Sequence, residues 1–591
     1  MNKEDITTEW DLTKIYDGDA GELAEKDIEL ATKLYEEFAT DYRQDDSYLK
    51  EPSVLAEALE RLENLGGEVN LARPIIYYSY KKALNSRDQE AESKVNQLSQ
   101  TFSKLSNKVR FFELELGKIS EDKQEEFLAS RELAHYNKYL TWLFKEAQYD
   151  LDETAENILS VTNLPRRSMW VDGVEKVITQ KSVEWEGEEL PLQKAINQLN
   201  DLPTDERREL HKMVMKELRD VANFSESEIN AVVTDKKIID ELRGYETPQE
   251  ATVLGNENTL KEVEALAETV TSNFDVAQEF YELKAELLGL DTLTYADRSA
   301  SVGKINREFS YKEGYKIVQS AFRELDEEFA DIFTRMTESG QVDVYPREGK
   351  SGGAFCSGTK KMPTYVLLNY VDNLNSVNVL AHEFGHAINF EMLQDAQKPI
   401  YQDVSTATTE TASTFFEKVV FSHIFKELTD EEKIIALHDK INGKISLIFR
   451  QIAFYNFEKE LHAQIRKKGS LPHAEIAELL NKHMKSYLGE RFELSEDDGY
   501  FFVTVSHLRR FFYVYTYAYG DLISSALHSK VEEDEDYIEE VKTFLRAGTS
   551  KSPADIFGDI GIDTTKPDVF ETGIADVKKD IETLRKFVDE G

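Results

Sequence analysis

The sequence of 591 residues is poor in cysteine and proline, with one and twelve respectively, and it contains no long apolar run. A single thiol, Cys356, excludes an internal disulfide framework. No stretch of about 18 apolar residues occurs, which excludes a membrane-spanning helix. Residues 1–6 have neither the basic region nor the apolar region of a secretory signal peptide. We therefore expect a cytoplasmic protein.

Basic residues are also scarce. Lysine and arginine number 71 against 113 aspartates and glutamates, which gives a net charge of −42. This excess of negative charge argues against nucleic acid or an anionic membrane as a partner, and it favours solubility and the attraction of cationic peptides. The chain is also too long for one hydrophobic core, so we expect two or more subdomains.

Apolar residues recur at spacings of three and four before Gly117, which predicts a helix with one buried face that ends at this glycine. The same spacing permits a coiled coil, but it does not continue past Gly117, so a bundle helix is favoured. The pattern breaks at residues 183–188, where we expect a small hairpin or an irregular link near a subdomain boundary. The predicted buried face consists of Val95, Leu98, Phe102, Leu105, Val109, Phe112 and Leu116.

A motif of the form H-E-x-x-H occupies residues 382–386, within an apolar and helix-forming stretch. Histidines four positions apart leave the same face of an α-helix one turn apart, so His382 and His386 can bind one divalent metal ion. Glu383 is placed to take a proton from a water bound to that metal. Because the motif alone also arises by chance, the prediction depends on a third ligand.

Catalytic zinc sites use three protein ligands and leave one position open. Glu391 lies about 140° around the helix from His386 and cannot reach the metal. Glu410 is favoured as the third ligand because it lies among small residues at the start of a second, capped helix. Glu417, seven positions later on the same face, either orients a ligand or is a solvated acid. The downstream acids considered are Glu391, Asp395, Asp403, Glu410 and Glu417.

An aromatic block occupies residues 506–519. Hydroxyl and imidazole groups aimed at the carbonyl oxygen of a scissile amide would stabilise the negative charge that develops there. Tyr513 and Tyr517 share a face in a strand or in a helix, since a spacing of four suits both periods. The residues alone are equally consistent with an aromatic core stripe. The polar members of the block are His507, Tyr513, Tyr515, Tyr517 and Tyr519.

Three segments of this sequence resemble the M3 family of zinc metallopeptidases, on its oligoendopeptidase F branch. Residues 382–387 match the family helix, residues 410–415 resemble its Glu-Val-Ala-Ser-Thr-Phe segment, and residues 506–518 resemble its late His/Tyr region. Weaker similarities occur at residues 10–12 and 242–246. Departures from the family pattern are few: Thr411 in place of the usual Val, and Leu508, Arg509 and Arg510 in the late region.

The resemblance implies a mostly α-helical fold. Two helical halves would enclose a deep substrate channel, with a small β element beside the H-E-x-x-H helix. The chain would divide into an N-terminal helical region over residues 1–112, an oligoendopeptidase F-type helical subdomain over residues 113–190 and an M3-type zinc catalytic domain over residues 191–591.

The resemblance also implies one Zn²⁺ per chain. Its ligands would be His382, His386 and Glu410. The catalytic residues would be Glu383, His507, Tyr513 and Tyr517, whereas Tyr515 and Tyr519 would belong to the core.

A short strand is predicted at residues 364–370, directly before the motif helix. As an edge strand it would hold an extended substrate through main-chain hydrogen bonds. Glycines cluster before it, between Gly340 and Gly358. We interpret Gly352–Gly353 as a mobile or close-approach loop rather than a phosphate loop, since no Lys-Ser/Thr ending follows it.

The sequence therefore predicts a zinc metalloendopeptidase. It would hydrolyse internal peptide bonds of short unfolded oligopeptides by a zinc-activated water, with Glu383 as general base. One alternative is a related helical zinc exopeptidase of carboxypeptidase type, in which Arg509 or Arg510 would bind a free terminus. Another is a catalytically inactive peptide-binding protein. The intact ligand set together with Glu383 favours the active enzyme.

Overall fold

The computed structural model describes residues 6–67 and 72–590, and helices predominate within these ranges. The predicted mostly α-helical class is confirmed. Residues 1–5, at the start that lacks signal-peptide features, lie outside the described residues. Among the described residues, no helix combines the length and the hydropathy that crossing a membrane requires.

The helices of the described residues, in chain order, are α1 Ala20–Gln44, α2 Pro52–Gly67, α3 Ala72–Leu84, α4 Gln89–Leu116, α5 Glu121–Ala129, α6 Asn137–Ala147, α7 Glu153–Asn163, α8 Met169–Thr179, α9 Leu192–Gln198, α10 Thr204–Arg243, α11 Glu250–Gly255 and α12 Leu260–Ser272. They continue with α13 Phe274–Leu288, α14 Tyr311–Leu325, α15 Glu327–Glu338, α16 Leu374–Ala396, α17 Thr406–Phe425, α18 Asp430–Lys444, α19 Gln451–Lys468, α20 His473–Leu488, α21 Tyr515–Glu533, α22 Ile538–Leu545, α23 Pro553–Asp559 and α24 Pro567–Glu590. The strands are β1 Ser182–Trp185, β2 Glu188–Pro191, β3 Val342–Asp343, β4 Phe355–Thr359 and β5 Met362–Leu367.

The chain groups into two compact units, each built from three segments. The domain limits that we predicted near residues 112 and 190 stay predictions. The substrate channel between two helical halves stays a prediction as well. Unit 1 comprises Met1–Glu153, Arg307–Ile424 and Lys530–Ile560, and unit 2 comprises Thr154–Asn306, Phe425–Ser529 and Gly561–Gly591, apart from the residues outside the described ranges.

Unit 1 contains a three-stranded sheet in the order β3-β5-β4. β5 pairs in parallel with β3 through Val342 and Val366, and antiparallel with β4 through Cys356 and Val366. The strand predicted at residues 364–370 exists as β5, but the prediction that it is an edge strand is wrong. β3 has only two residues, too few to produce an alternating pattern, and it covers the edge that the sequence pattern leaves open.

A segment near the N-terminus completes this sheet. The Trp10 indole N–H donates to the Val366 carbonyl at 2.8 Å, and the Tyr365 hydroxyl donates to the Asp11 carbonyl at 2.7 Å. The Trp10 ring also packs against Tyr80 and Tyr365, with centroid distances of 4.9 and 5.4 Å. Residues more than 350 positions apart therefore share one buried aromatic cluster, which fixes β5 from the side.

The helix predicted to end at Gly117 is confirmed as α4. A Cβ at Gly117 would lie 2.6 Å from the Cβ of Ala147, so this glycine lets the ends of α4 and α6 approach closely. Phe112 and Leu116 are fully buried, but Phe102 is 38% exposed. The prediction that Phe102 belongs to the buried face is therefore wrong, because the face is covered mainly at the C-terminal half of α4.

Unit 2 contains the predicted hairpin, formed by β1 and β2 with Val183 opposite Leu190. Its two turn residues, Glu186 and Gly187, both have positive φ, at 51° and 82°. Such a turn matches the twist of paired antiparallel strands. The remainder of unit 2 is mainly helical. Helices α10 and α19 contact the late aromatic block, whose last residues begin α21.

Candidate active site

The H-E-x-x-H motif lies in the middle of α16. Asn373 caps the helix by accepting a hydrogen bond from the Ser376 amide. The rings of His382 and His386 leave the same face, with centroids 5.0 Å apart and planes at 89°. As the periodicity predicts, one helical turn separates the two imidazoles, and both nitrogen donors face the same space.

Helix α17 crosses α16 at Gly385. A Cβ at this position would lie 2.6 Å from the Cα of Ser413 and 3.0 Å from the carbonyl oxygen of Ala412. Only glycine permits this approach, and small residues on α17 meet it. The crossing places Glu410, one turn earlier on α17, beside the two imidazoles, as the sequence argument from small residues anticipates.

The ligand atoms of His382, His386 and Glu410 all lie within 4.8 Å of one another. Nε2 of His382 is 3.8 Å from Oε2 of Glu410. A tetrahedral ion with bonds near 2.1 Å holds its ligands roughly 3.4 Å apart, so a metal ion fits here after small adjustments. Nδ1 of His386 is buried without a hydrogen-bond partner among the described residues. Two imidazole nitrogens and one carboxylate are the donor types that zinc prefers.

Glu417 lies next to this group, about two turns after Glu410 along α17. Its Oε2 is 3.2 Å from Nδ1 of His382, which leaves Nε2 free to face Glu410. Burial disfavours the charged imidazole, but the bond to Glu417 and the nearby carboxylates raise the pKa of His382 to about 9. Of the two interpretations of Glu417, the contact matches the one in which it orients a ligand.

His386 behaves in the opposite way. Burial, followed by the charge of His382, lowers the pKa of His386 to about 3, although the Thr409 backbone acts against this shift. The His386 ring is therefore neutral over the whole physiological range. A neutral imidazole has the free lone pair that metal binding needs.

Glu383 is 7% exposed and lies on α16 directly beside the first histidine. Burial, together with the negative charge of Glu410, raises the pKa of Glu383 to about 7, while His382 and the Cys356 backbone amide act against this rise. Strand β4 therefore reaches the carboxyl group through its main chain. Sequence reasoning missed this contact, since a backbone N–H leaves no mark in the residue pattern.

The packing of β4 on α16 depends on another glycine. A Cβ at Gly358 would lie 2.2 Å from Cγ of Phe390 on α16. Gly352 and Gly353, which the sequence singled out for a close approach, have open space around them. The close approach predicted at Gly352–Gly353 is therefore not found there. It occurs at Gly358, where β4 packs on Phe390 of α16.

The late aromatic block lies in unit 2. Nδ1 of His507 is 2.5 Å from the Tyr513 hydroxyl, and the Tyr513 and Tyr517 ring centroids are 5.8 Å apart. Burial and then the charges of Arg450 and Arg510 lower the pKa of His507. Burial, followed by the Tyr517 hydroxyl, raises the pKa of Tyr513. The three predicted donors thus form one cluster with a neutral imidazole.

The other two tyrosines of the block are core residues, as predicted. Tyr515 and Tyr519 are fully buried, and their hydroxyls donate to Asn258 at 2.9 Å and to Glu262 at 3.2 Å. The segment containing Tyr515 and Tyr517 is helical, because it begins α21. Alternation of tyrosines reflects one buried and one partly exposed face of this helix rather than a strand.

Arg509 is not available to bind a peptide terminus. It is 8% exposed and pairs with the buried Glu228 through two hydrogen bonds of 2.8 and 2.6 Å. It also donates to the backbone carbonyls of Phe502 and Val505. Its role is to hold residues 502–509 together. The exopeptidase alternative therefore depends on Arg510, which is exposed and lies beside Tyr513.

Two histidines and a glutamate around one point, with a buried glutamate at their side, form the ligand set of a metal-dependent hydrolase. Among the described residues, this is the one group of histidine, cysteine and acidic side chains close enough to hold a metal ion.

Comparison with known proteins identifies the family. The family model described as peptidase family M3 matches residues 202–576, and the model described as oligopeptidase F matches residues 115–172. The chain therefore belongs to peptidase family M3, and it is a metallopeptidase.

Relatives resemble the chain over most of its length. Oligopeptidase PepF of Bacillus subtilis is 25% identical over 80% of this chain and 72% of its own. The oligoendopeptidase F homolog of Lactococcus lactis subsp. lactis is 22% identical over 100% of this chain and 99% of its own. The crystal structure of oligoendopeptidase-F from Enterococcus faecium has a TM-score of 0.71 at 18% identity, covering 97% of this chain and 99% of its own. A likeness at this identity establishes the shared fold.

Proposed function

We propose that the chain is a zinc endopeptidase that hydrolyses internal bonds of short, unfolded oligopeptides. The observation that carries this proposal is the group of His382, His386 and Glu410, with Glu383 buried beside it. Membership of peptidase family M3 supports the reaction, and relatives called oligopeptidase or oligoendopeptidase support the substrate class.

The three ligand residues would hold the ion through two imidazole nitrogens and one carboxylate. When bound, Zn²⁺ would lower the pKa of a water molecule and polarise the scissile carbonyl. Glu417 would keep the His382 ring in the orientation that directs Nε2 to the ion, because it binds Nδ1 of that ring.

Glu383 would act as general base and then as general acid. Its carboxylate would accept a proton from the attacking water and deliver it to the leaving amine. The Cys356 amide would keep the carboxyl group oriented during this transfer.

His507, Tyr513 and Tyr517 would donate hydrogen bonds to the oxygen that becomes negatively charged, or would align the peptide. Support comes from their resemblance to the late His/Tyr region of the family and from the neutral imidazole in contact with a tyrosine hydroxyl. Donors of this kind contribute about 10²–10³ in rate when they meet the oxyanion in the transition state.

An extended peptide would bind along β4. This strand has one paired neighbour among the described residues, β5, and it packs on α16 beside the carboxyl group of Glu383. Main-chain hydrogen bonds to a strand recognise peptides of many sequences but require an unfolded substrate.

Digestion of a peptide of roughly ten residues, blocked at both ends, tests the proposal. An endopeptidase should cut it internally, and mass spectrometry should give two new fragments. An exopeptidase that reads a free terminus through Arg510 should leave it intact. An inactive binding protein should bind it without cleavage.

Metal analysis completes the test. The purified protein should contain about one zinc per chain, and His382→Ala and His386→Ala should lose both metal and activity. Full metal occupancy in either variant would show that the ligand assignment is wrong.

A further inference from the structure

Two consecutive phenylalanines precede Tyr513 in an unusual backbone conformation. Phe511 and Phe512 have φ of 53° and 57°, in the left-handed region that bulky side chains rarely adopt. Both side chains are buried, at 5% and 0% exposure. Such a conformation persists only where the surrounding structure enforces it, and it often marks a residue with a functional constraint.

Helix α19 packs against the side chains of this turn. The His462 ring packs on both phenylalanines, with centroid distances of 5.5 Å to Phe511 and 4.7 Å to Phe512. The backbone amide of Phe512 interacts with the carboxyl group of Glu458. Glu458 and His462 are therefore neighbours on one face of α19, and one contacts the main chain of the turn while the other contacts its rings.

The turn is also held from its other side. The Thr252 hydroxyl donates to the Phe511 carbonyl at 3.0 Å, and the Arg167 guanidinium lies 4.5 Å from the Phe511 ring centroid. Arg167 also donates to the carbonyl of Arg509. Contacts to an amide, a carbonyl and both rings leave the turn little freedom to change its φ angles.

Glu458 and His462 are costly residues to bury. They are 1% and 0% exposed, and Oε1 of Glu458 is 4.0 Å from Nε2 of His462. Neither ring nitrogen of His462, nor Oε1 of Glu458, has a hydrogen-bond partner among the described residues. Apolar side chains would fill this space at a lower free-energy cost, so buried polar groups here call for an explanation beyond packing.

The position of Tyr513 depends on the turn. On its C-terminal side, the Tyr513 carbonyl accepts from the amide of Thr516 at 3.0 Å and from its hydroxyl at 2.8 Å, which ties Tyr513 to the start of α21. On its N-terminal side, the next residue is Phe512. A change of φ at Phe512 would rotate the Tyr513 side chain away from its 2.5 Å contact with His507.

We propose that Glu458 and His462 are positioning residues, which hold the Phe511–Phe512 turn in its left-handed conformation and thereby direct the Tyr513 hydroxyl. The inference rests on the proposed function of Tyr513. Neither residue touches the substrate in this scheme, and both act through the turn.

Glu458→Leu removes the carboxyl group beside the Phe512 amide, and His462→Leu removes the ring that packs on both phenylalanines. Both variants keep apolar bulk. Each should lower kcat about ten- to hundredfold, because misplacement of a catalytic group by about 1 Å has effects of this size. KM and zinc content should stay unchanged. Glu458→Gln should restore kcat, since it keeps a side-chain oxygen of the same reach beside the Phe512 amide. His438→Leu is the matched control: His438 is also fully buried in unit 2, but it packs on Phe280.

A double-mutant cycle with Tyr513→Phe decides between positioning and general destabilisation. If Glu458 and His462 act through the hydroxyl, the Leu variants should cause no further loss of kcat in the Tyr513→Phe background. An equal fold-loss in both backgrounds would overturn the proposal. Normal kcat in Tyr513→Phe alone would instead show that the proposed role of Tyr513 is wrong, and the premise of the inference with it.

A third variant, at Phe512 itself, keeps the proposal testable when a leucine variant does not fold. If Glu458→Leu or His462→Leu is insoluble, Phe512→Ala tests the same link, because it removes the ring contact while keeping a side chain that disfavours positive φ. It should lower kcat with unchanged KM, and its effect should also vanish in the Tyr513→Phe background. Normal kcat in Phe512→Ala would overturn the proposal.

Discussion

Glu383 is the residue whose replacement separates metal binding from chemistry. Glu383→Gln preserves the size of the side chain but cannot accept a proton. We expect unchanged zinc content and a kcat lowered by about 10²–10⁴, the usual contribution of a general base. Zinc content and kcat are measured on the same preparation.

Glu391→Gln serves as control for this variant. Glu391 lies on the same helix but pairs with Arg335 at 2.7 Å. Its variant should turn over peptide at the normal rate. Near-normal turnover in Glu383→Gln would mean that another group accepts the proton.

Glu417 offers a separate prediction, since it contacts a ligand and not the ion. Glu417→Gln weakens the hydrogen bond to Nδ1 of His382. We expect zinc affinity to fall by about 10–100-fold, with kcat close to normal once zinc is saturating. Competition with a chelator of known affinity measures the first effect.

Glu324→Gln is the matched control, because Glu324 accepts from Nδ1 of His423 at 3.1 Å in the same unit. It breaks a carboxylate–imidazole pair of the same kind. Equal loss of zinc affinity in both variants would assign the effect of Glu417 to general loosening of α17.

At this scale the sequence predicted that His382, His386 and Glu410 lie together, because residue type and spacing determine which side chains share a helix face. It left Glu417 open between two interpretations, since exposure depends on what packs against the helix. It missed the contribution of Cys356 because the amide and not the thiol makes the contact. It also gave no role to Glu458 and His462, although two polar residues on the apolar face of α19 were a usable signal.

Among the elements, the crossing of α16 and α17 is the most sensitive point. Gly385→Ala would place a methyl group 2.6 Å from the Cα of Ser413, where only backbone movement can relieve the clash. We expect the helices to separate, with destabilisation of roughly 1–3 kcal/mol and reduced zinc affinity, because Glu410 moves with α17. Urea unfolding and chelator competition measure the two effects.

Gly443→Ala provides the comparison. Gly443 lies in α18, and the position that an added methyl group would occupy has nothing within 4 Å of it. Alanine favours the helix there, so stability should rise by about 0.5–1 kcal/mol without a change in zinc affinity. Normal zinc affinity in Gly385→Ala would show that the close crossing does not position Glu410.

Elements whose residue pattern extends over many positions could be predicted from the sequence, and very short elements could not. α4 and the hairpin near residues 183–188 follow from local patterns that span several turns or two strands. The order β3-β5-β4 does not, because the two residues of β3 pair with a strand more than twenty positions away. The left-handed turn at Phe511 and Phe512 could not be predicted either, since it contains no glycine or asparagine, the residues that favour positive φ.

For the whole molecule, the stability of the fold should depend on the protonation of Glu458. Burial, opposed by the Phe512 amide and by Lys236, raises the pKa of Glu458 to about 8 from an ordinary 4.5. His462 lies 4.0 Å from its carboxyl group, and Lys236 pairs in turn with Asp240, which also binds Arg466.

The direction follows from proton binding. Between pH 4.5 and 8 the unfolded chain has lost this proton while the folded chain keeps it, so stability falls as pH rises through this window. Glu458→Gln removes the dependence. Its stabilisation relative to the parent protein should therefore grow from pH 5 to pH 8, by roughly 3–5 kcal/mol in total, and then stay constant.

Urea unfolding at several pH values checks this prediction. Glu460→Gln on the same helix is the control. Burial opposes ionisation of Glu460, but bonds from Lys482 and His483 lower its pKa, so its carboxylate stabilises the fold above its ordinary pKa. Its removal should lower stability at neutral pH. A constant difference between Glu458→Gln and the parent across this range would contradict the prediction.

The contact between Trp10 and β5 has a consequence in time. The indole donor and its carbonyl acceptor are 356 residues apart. A ribosome adds about 5–20 residues per second, so Trp10 is synthesised roughly 20–70 s before its acceptor. Tyr80, its first aromatic partner along the chain, follows within about 4–14 s. A chain whose synthesis stops before β5 lacks the Val366 carbonyl and the Tyr365 ring, so part of its indole stays exposed to chaperones and proteases.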